Sequence, residues 1–163
     1  MDEEPKAKEK DIAIQKKAAV LLAPYYKVTG KDYSYVNPKT KEEWAKLEAE
    51  NCRHYEGVPL KVMRELVKME AADPEDAQNC SLMIKEFMEF AADYEQAHGI
   101  PVTFHGYQIY PVGDEPRWDL RVAVEGVAAE GKLDTNAILG AVECLRTADE
   151  FDIDTSGFRA WWD

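Results

Sequence analysis

The 163-residue chain has only three cysteines, no long apolar run and none of the glycine-rich motifs that bind phosphate. Cys52, Cys80 and Cys144 form no C-x-x-C pair, and an odd number favours reduced thiols in the cytoplasm over a disulfide framework. The longest apolar run, residues 18–23, is six residues long. A membrane-spanning helix needs about 20 such residues. We therefore expect a cytoplasmic protein without a membrane anchor or an export signal.

Signatures of the common catalytic sites are missing as well. No serine lies in a nucleophile elbow, and there is no Walker loop. Cys80 and Cys144 fall at apolar positions of predicted helices, where they resemble small buried hydrophobic residues more than nucleophiles. We accordingly predict no cofactor, no metal and no catalytic residue, and the leading interpretation is a non-catalytic protein.

What the chain does have is a surplus of negative charge, with a formal net charge of −12. Residues 1–60 contain 11 Lys and Arg against 11 Asp and Glu, whereas residues 61–163 contain 9 against 21. A folded domain cannot bury so many carboxylates, so this surplus describes a surface. Because an acidic surface repels phosphates, the composition argues against duplex nucleic acid as a partner.

The acidic residues concentrate between Glu65 and Glu95, where nine carboxylates accompany only Lys68 and Lys85. A solvated helix face is the usual meaning of such a run. The alternative is a surface that docks a basic partner protein, since opposite charges speed the encounter and exclude wrong partners. For this acidic helical face we predict the binding residues Glu75, Glu86, Glu89 and Asp93. The preferred hypothesis is a regulatory or accessory protein, of a kind that suits bacteria or mobile elements.

The order of periodic segments predicts an α+β fold, because helices come first and strands follow. The helix-rich N-terminal half should contain about four helices, over residues 10–22, 40–52, 59–70 and 73–99. The last of these is the longest, and Asp73-Pro-Glu-Asp has the residues that favour a helix start. Residues 1–8 are expected to form a flexible charged tail, and residues 9–163 a single domain.

After Pro101 the apolar period changes to two, which predicts a small antiparallel sheet. Its hairpin should consist of a strand ending near Val112, a turn over residues 113–116 and a strand over residues 118–125. One further helix follows at about residues 135–145, and residues 158–162 are apolar enough for a third strand. Trp161 and Trp162 are expected to close the edge of the core.

Two histidines support an alternative hypothesis, a small hydrolase or transferase. Glu95 and His98 have the E-x-x-H spacing that di-iron bundles use twice, but this chain has no second copy. A histidine near a helix C-terminus more often interacts with the helix dipole. An enzyme that uses His105 or His98 with a carboxylate requires a concave pocket where these groups converge.

The segment that starts at Asp152 resembles the calcium-binding loop of EF-hand proteins. The resemblance implies a calcium site formed by Asp152, Asp154, Ser156 and Asp163. It covers about 12 residues and departs from the family twice, since position 12 is Asp instead of Glu and no exiting helix follows it. The alternative is an Asp-rich turn that leads into the last strand.

Residues 24–41 interleave tyrosines with lysines, a composition that can stack on and neutralise single-stranded nucleic acid. The same composition describes a loop whose tyrosines cover the core while its lysines stay in water. The residues concerned are Tyr25, Tyr26, Tyr33, Tyr35, Lys27, Lys31, Lys39 and Lys41.

Overall fold

The computed structural model describes residues 9–27, 40–48, 51–111 and 119–163. The helices in these ranges are α1 (Glu9–Leu22), α2 (Lys41–Glu48), α3 (Leu60–Lys68), α4 (Ile84–His98) and α5 (Thr135–Leu145). The strands are β1 (Cys52–Pro59), β2 (Thr103–Ile109), β3 (Arg121–Glu130), β4 (Glu150–Asp154) and β5 (Gly157–Trp161). The α+β class predicted from the sequence is confirmed. The predicted tail at residues 1–8 and the predicted turn at 113–116 lie outside the described residues.

The described strands form one antiparallel sheet in the order β1-β2-β3-β5-β4. A row of residues in register crosses four of these strands: Val58, Phe104, Val127 and Ala160. This row belongs to the hydrophobic core, together with buried side chains of α1, α3, α4 and α5. The helices therefore cover this face of the sheet. Because side chains alternate along a strand, the residues next to this row point to the second face.

The predicted start of the longest helix at Asp73 is wrong, because α4 begins at Ile84. The side chain of Asp73 accepts a hydrogen bond from the N–H of Glu75 at 2.9 Å, which makes a local turn instead of a helix cap. Asn79 and Cys80 have positive φ angles of 52° and 62°, which the interior of a right-handed helix does not allow. Cys80 is exposed and, contrary to expectation, does not belong to the apolar stripe of the longest helix.

The irregular segment between α3 and α4 has a structural role, because it covers a part of β3 that β5 does not reach. The N–H of Val122 donates to the carbonyl of Ala71 at 2.9 Å. Further along, the side chain of Asn79 donates to the carbonyl of Trp162 at 3.3 Å. The segment thus satisfies backbone groups that a sixth strand would otherwise pair with.

Strand β1 was not predicted, since residues 51–59 were expected to finish a helix and form a loop. The capping pair at the start of that helix is confirmed, as the N–H of Glu43 donates to Oγ1 of Thr40 at 3.2 Å. However, α2 ends at Glu48. Arg53 occupies an inward position of β1, so the strand lacks a regular alternation of apolar and polar residues. Its guanidinium lies 3.6 Å from the centre of the Tyr110 ring.

The chain ends in a hairpin of β4 and β5, which confirms the predicted third strand and adds one that was not predicted. Strand β4 forms an edge of the sheet. Its exposed positions are all acidic: Glu150, Asp152 and Asp154. Trp162 closes the core as expected, with its ring 5.3 Å from that of Phe87, whereas Trp161 lies on the other face of the sheet against His105. None of the described helices combines the length and the apolar character that crossing a membrane requires.

We expect Trp162 to be a main determinant of stability, because its side chain is only 1% exposed. The substitution Trp162→Ala should lower the free energy of unfolding by about 3–5 kcal/mol, through lost burial and a residual cavity. Urea denaturation followed by circular dichroism measures this change. The control is Val20→Ala, at a side chain that is 74% exposed, which should change stability by less than about 0.5 kcal/mol. Equal effects of both substitutions would contradict the packing described here.

Candidate functional site

The second face of the sheet has a trough over β3, because the second half of this strand contributes small residues to it. Two rows of register partners lie on this face: Thr103, Ala128 and Arg159 in one, and His105, Gly126 and Trp161 in the other. Above Ala128 the trough widens into a cleft of about 520 Å³. The polar residues that line this cleft are Glu56, Thr103, His105, Glu130 and Arg159.

A β-bulge in β1 brings Glu56 to the cleft. The register of β1 against β2 shifts between Tyr55 and Val58, and Gly57 has a positive φ of 74°, which favours glycine. Oε1 of Glu56 lies 3.1 Å from Nη2 of Arg159 and also pairs with Nζ of Lys27. Since two strands separate β1 from β5, this ion-pair bridge of Lys27, Glu56 and Arg159 crosses the second face.

The indole ring of Trp161 lies against this ion-pair bridge. Its centre is 4.8 Å from the guanidinium carbon of Arg159 and 5.9 Å from Nζ of Lys27. Both distances are within the range of cation–π attraction. The imidazole of His105 packs on the same indole, with the ring centres 4.7 Å apart. The indole of Trp161 therefore contacts both the buried imidazole and the two cationic side chains.

His105 is only 2% exposed, and its Nε2 has no hydrogen-bond partner among the described residues. The imidazole lies over Gly126, where any larger residue would collide with it and with the carbonyl oxygen of Ala160. Burial, and then the positive charges of Arg159 and Lys27, lower the pKa of His105 to about 3. The imidazole is therefore neutral at physiological pH and is a weak base.

A second carboxyl group is buried further along the same face. Glu125 lies at a bulge of β3, because His105 and Gly106 of β2 pair with Gly126 and Val124 respectively. Burial raises the pKa of Glu125, and the negative charge of Asp163 adds to the effect. Nδ1 of His54 is 3.9 Å from Oε1 of Glu125, which is beyond hydrogen-bond range.

The structure places the predicted acidic residues in two locations. Glu86, Glu89 and Asp93 share one side of α4 through their i, i+3, i+7 spacing, and Glu89 and Asp93 are exposed. The carboxylate of Glu86 also accepts a hydrogen bond from the N–H of Met83 at 3.3 Å. Glu75 lies in the irregular segment before α4, where its carboxylate is 3.4 Å from Nζ of Lys85.

Helix α5 adds a carboxylate that the sequence analysis missed. Burial raises the pKa of the Cys144 thiol, and the negative charges of Glu143 and Asp93 raise it further. The charge of Asp93 on α4 thus acts on a residue of α5, in agreement with the packing of these two helices against each other. We call Glu86, Glu89, Asp93 and Glu143 the acidic ridge. The sequence indicates that Glu143 is on the exposed side of the predicted helix at residues 135–145, but it does not show that this helix packs beside α4.

The two histidines of the enzyme hypothesis lie on opposite faces of the sheet. His98 is on the helical side, where its ring centre is 4.6 Å from that of Tyr94. His105 shares the cleft with the carboxylates of Glu56 and Glu130. Among the described residues that line the cleft there is no serine or cysteine, and Oγ1 of Thr103 donates to the carbonyl of Ala128 at 3.3 Å. The cleft thus offers binding groups without an activated nucleophile.

The segment that resembles a calcium loop forms the β4–β5 hairpin. Asp154 pairs with Gly157 at the turn, and its carboxylate accepts hydrogen bonds from the N–H and hydroxyl of Ser156 at 2.8 and 2.6 Å. Asp163 lies beyond the pair Glu150–Trp161, at the far end of the hairpin from Asp154. The four residues of strand from Asp154 to Glu150 alone span roughly 13 Å. An EF-hand loop instead wraps its ligands around one ion. Within the described ranges, no group of three or more His, Cys, Asp or Glu is placed to hold a metal.

Two residues of the tyrosine- and lysine-rich segment are buried in the fold. Tyr26 is fully buried, and its hydroxyl donates to Oε1 of Gln108. Lys27 is 8% exposed and belongs to the ion-pair bridge. Both side chains are therefore withdrawn from solvent. This agrees for Tyr26 with the interpretation that the tyrosines cover the core, but Lys27 does not stay in water as that interpretation expects. Tyr33, Tyr35, Lys31 and Lys39 lie outside the described residues.

Comparison with known proteins gives no family. No protein-family model matches the chain, and no match was found among curated proteins or solved structures. Any proposal about function consequently depends on the geometry of the acidic ridge and of the cleft.

We expect His105 to make stability depend on pH. Below about pH 6.5 the unfolded chain binds a proton at this residue. The folded protein does so only near pH 3, so acid stabilises the unfolded state. Between pH 7 and pH 5 the wild type should lose about 2 kcal/mol more than His105→Gln does.

Urea denaturation at both pH values measures this difference, and His98→Gln is the control for the loss of a histidine. NMR of the wild type supplies a second measurement, in which the His105 ring signals should not titrate between pH 5 and pH 8. Titration of these signals near pH 6.5, or equal losses in wild type and His105→Gln, would contradict a buried neutral imidazole.

Proposed function

We propose that the chain is a non-catalytic cytoplasmic protein that binds a basic partner protein through the acidic ridge. The supporting observation is that two neighbouring helices both carry exposed carboxylates, Glu89 and Asp93 on α4 and Glu143 on α5. Helix α5 has no Lys or Arg, and the single lysine of α4, Lys85, already pairs with Glu75. The carboxylates of the acidic ridge therefore outnumber the cations near them, since Arg146 at the end of α5 is the only further Lys or Arg at these two helices.

The cytoplasmic setting in this proposal agrees with the state of the cysteines, since Cys52, Cys80 and Cys144 are all free thiols. The limits of the ridge are also defined. Helix α3 contributes Lys61, Arg64 and Lys68, which are exposed. Because α3 packs beside α4, cations border the negative strip on that side. A basic partner would consequently be guided to the side of α4 that faces α5.

Binding of this kind is expected to depend strongly on charge and salt. Rim carboxylates act mainly on the rate of association, which falls as salt screens their field. Exposed ion pairs contribute about 0.2–1 kcal/mol each. Several carboxylates are therefore needed for a large effect, and reversing two of them should be sufficient to abolish steering.

The test compares two charge-matched variants. Glu89→Lys/Asp93→Lys reverses two charges on the ridge, and Asp11→Lys/Glu65→Lys reverses two exposed charges on α1 and α3. Proteins captured from a native lysate at low salt should be released at about 0.5 M salt. The ridge variant should not capture them, whereas the control variant should.

A defined basic probe, an oligolysine peptide, allows the association rate to be measured by interferometry. We expect the ridge variant to associate about tenfold more slowly than the control variant. If both variants lose capture and rate to the same extent, net charge explains the binding and the acidic ridge is not a docking surface.

A further inference from the structure

The cleft on the second face is separate from the acidic ridge, and the proposed docking function does not use it. It combines a cavity of about 520 Å³ with a cationic side chain at its mouth. The side chain of Arg159 is 49% exposed. Arginine has five N–H donors, and in the described residues one hydrogen bond, to Glu56, accounts for a single donor. The guanidinium carbon also lies 4.8 Å from the centre of the Trp161 ring.

The shape of the cleft suits a small organic molecule. Ala128 forms the floor between Thr103 and Arg159, and Pro101 adds apolar lining. Pockets that bind small molecules are typically about 300–1,000 Å³ and combine apolar walls with a few polar groups. The guanidinium of Arg159 is the polar group that can fix the orientation of such a ligand.

The charged residues around the cleft determine which ligand charge is favoured there. A cationic ligand would be repelled by Arg159 and Lys27, both of which are held in the ion-pair bridge. A dianion such as phosphate would face the carboxylates of Glu56 and Glu130. A single negative charge fits best, because it can pair with the guanidinium while its apolar part stays away from both carboxylates.

We propose that the cleft binds a small organic carboxylate, which pairs with the outer edge of the Arg159 guanidinium and places its apolar part over Ala128. Planar carboxylates match the fork of the guanidinium and form two parallel hydrogen bonds with it. The ligand then lies beside the ion-pair bridge, and Glu56 competes with it for Arg159. This competition gives the proposal a prediction of definite sign.

The first experiment uses benzoate as the probe, with benzylamine and inorganic phosphate as comparisons. Chemical-shift changes in the NMR spectrum report binding at the Trp161 indole and at the backbone of residues 126–130. We expect benzoate to shift these signals with a dissociation constant in the millimolar range or below. We expect no comparable shift with benzylamine or phosphate.

Two substitutions test the site itself. Arg159→Gln removes the charge and should weaken benzoate binding about tenfold or more, since charge-assisted hydrogen bonds are lost. Ala128→Leu keeps every charge and fills the floor, so it should also abolish binding. The matched control is Arg146→Gln, at an exposed arginine at the end of α5, which should leave binding unchanged. Thermal unfolding curves show whether each variant is folded.

Glu56→Gln is the most discriminating variant, because it removes the competing carboxylate. Benzoate should bind several-fold more tightly to this variant than to the wild type. Weaker binding to Glu56→Gln would show that Glu56 does not compete with the ligand for Arg159 and would overturn the proposal. The proposal is also overturned if benzoate does not bind, if phosphate or benzylamine binds as well as benzoate, or if folded Arg159→Gln retains wild-type affinity.

Discussion

The packing of the helices on one face of the sheet is the constraint on which both candidate surfaces depend. The row of Val58, Phe104, Val127 and Ala160 belongs to that contact. Because strand residues alternate, the same register sends Ala128 and Arg159 to the second face. A shift of one residue would exchange the apolar row for the polar one. The core therefore fixes not only stability but also which side chains are available in the cleft.

On the second face, the charged residues of the ion-pair bridge depend on one another for their stability. Burial of a charged group is unfavourable unless partners compensate for it. Lys27, Glu56 and Arg159 compensate for one another, and Trp161 provides a polarisable surface under both cations. Beneath them, the neutral imidazole of His105 needs no counter-ion. The acidic ridge and this cluster lie on different sides of the sheet, so they can act independently.

The sequence predicted the elements whose apolar period is simple, and it failed where a polar residue occupies an inward position. Helix α5 and strand β5 follow their apolar residues. Strand β1 does not, because the inward Arg53 interrupts the pattern and packs against Tyr26 and Tyr110, which are distant in the sequence. Asp73 has the local features of a helix cap, but its side chain serves a turn. The cleft could not be foreseen at all, because it requires the pairing of β1, β2, β3 and β5, which local patterns do not determine.

The acidic edge of the sheet has a consequence for the behaviour of the protein at high concentration. Among the described residues no strand pairs with the outer side of β4, and an exposed edge of this kind is a template for another strand. Its outward side chains Glu150, Asp152 and Asp154 would meet the same three residues of a second molecule. Six carboxylates would then come within one Debye length of each other. Mutual repulsion thus keeps the edges of neighbouring molecules apart and protects the terminal hairpin from self-assembly into larger sheets.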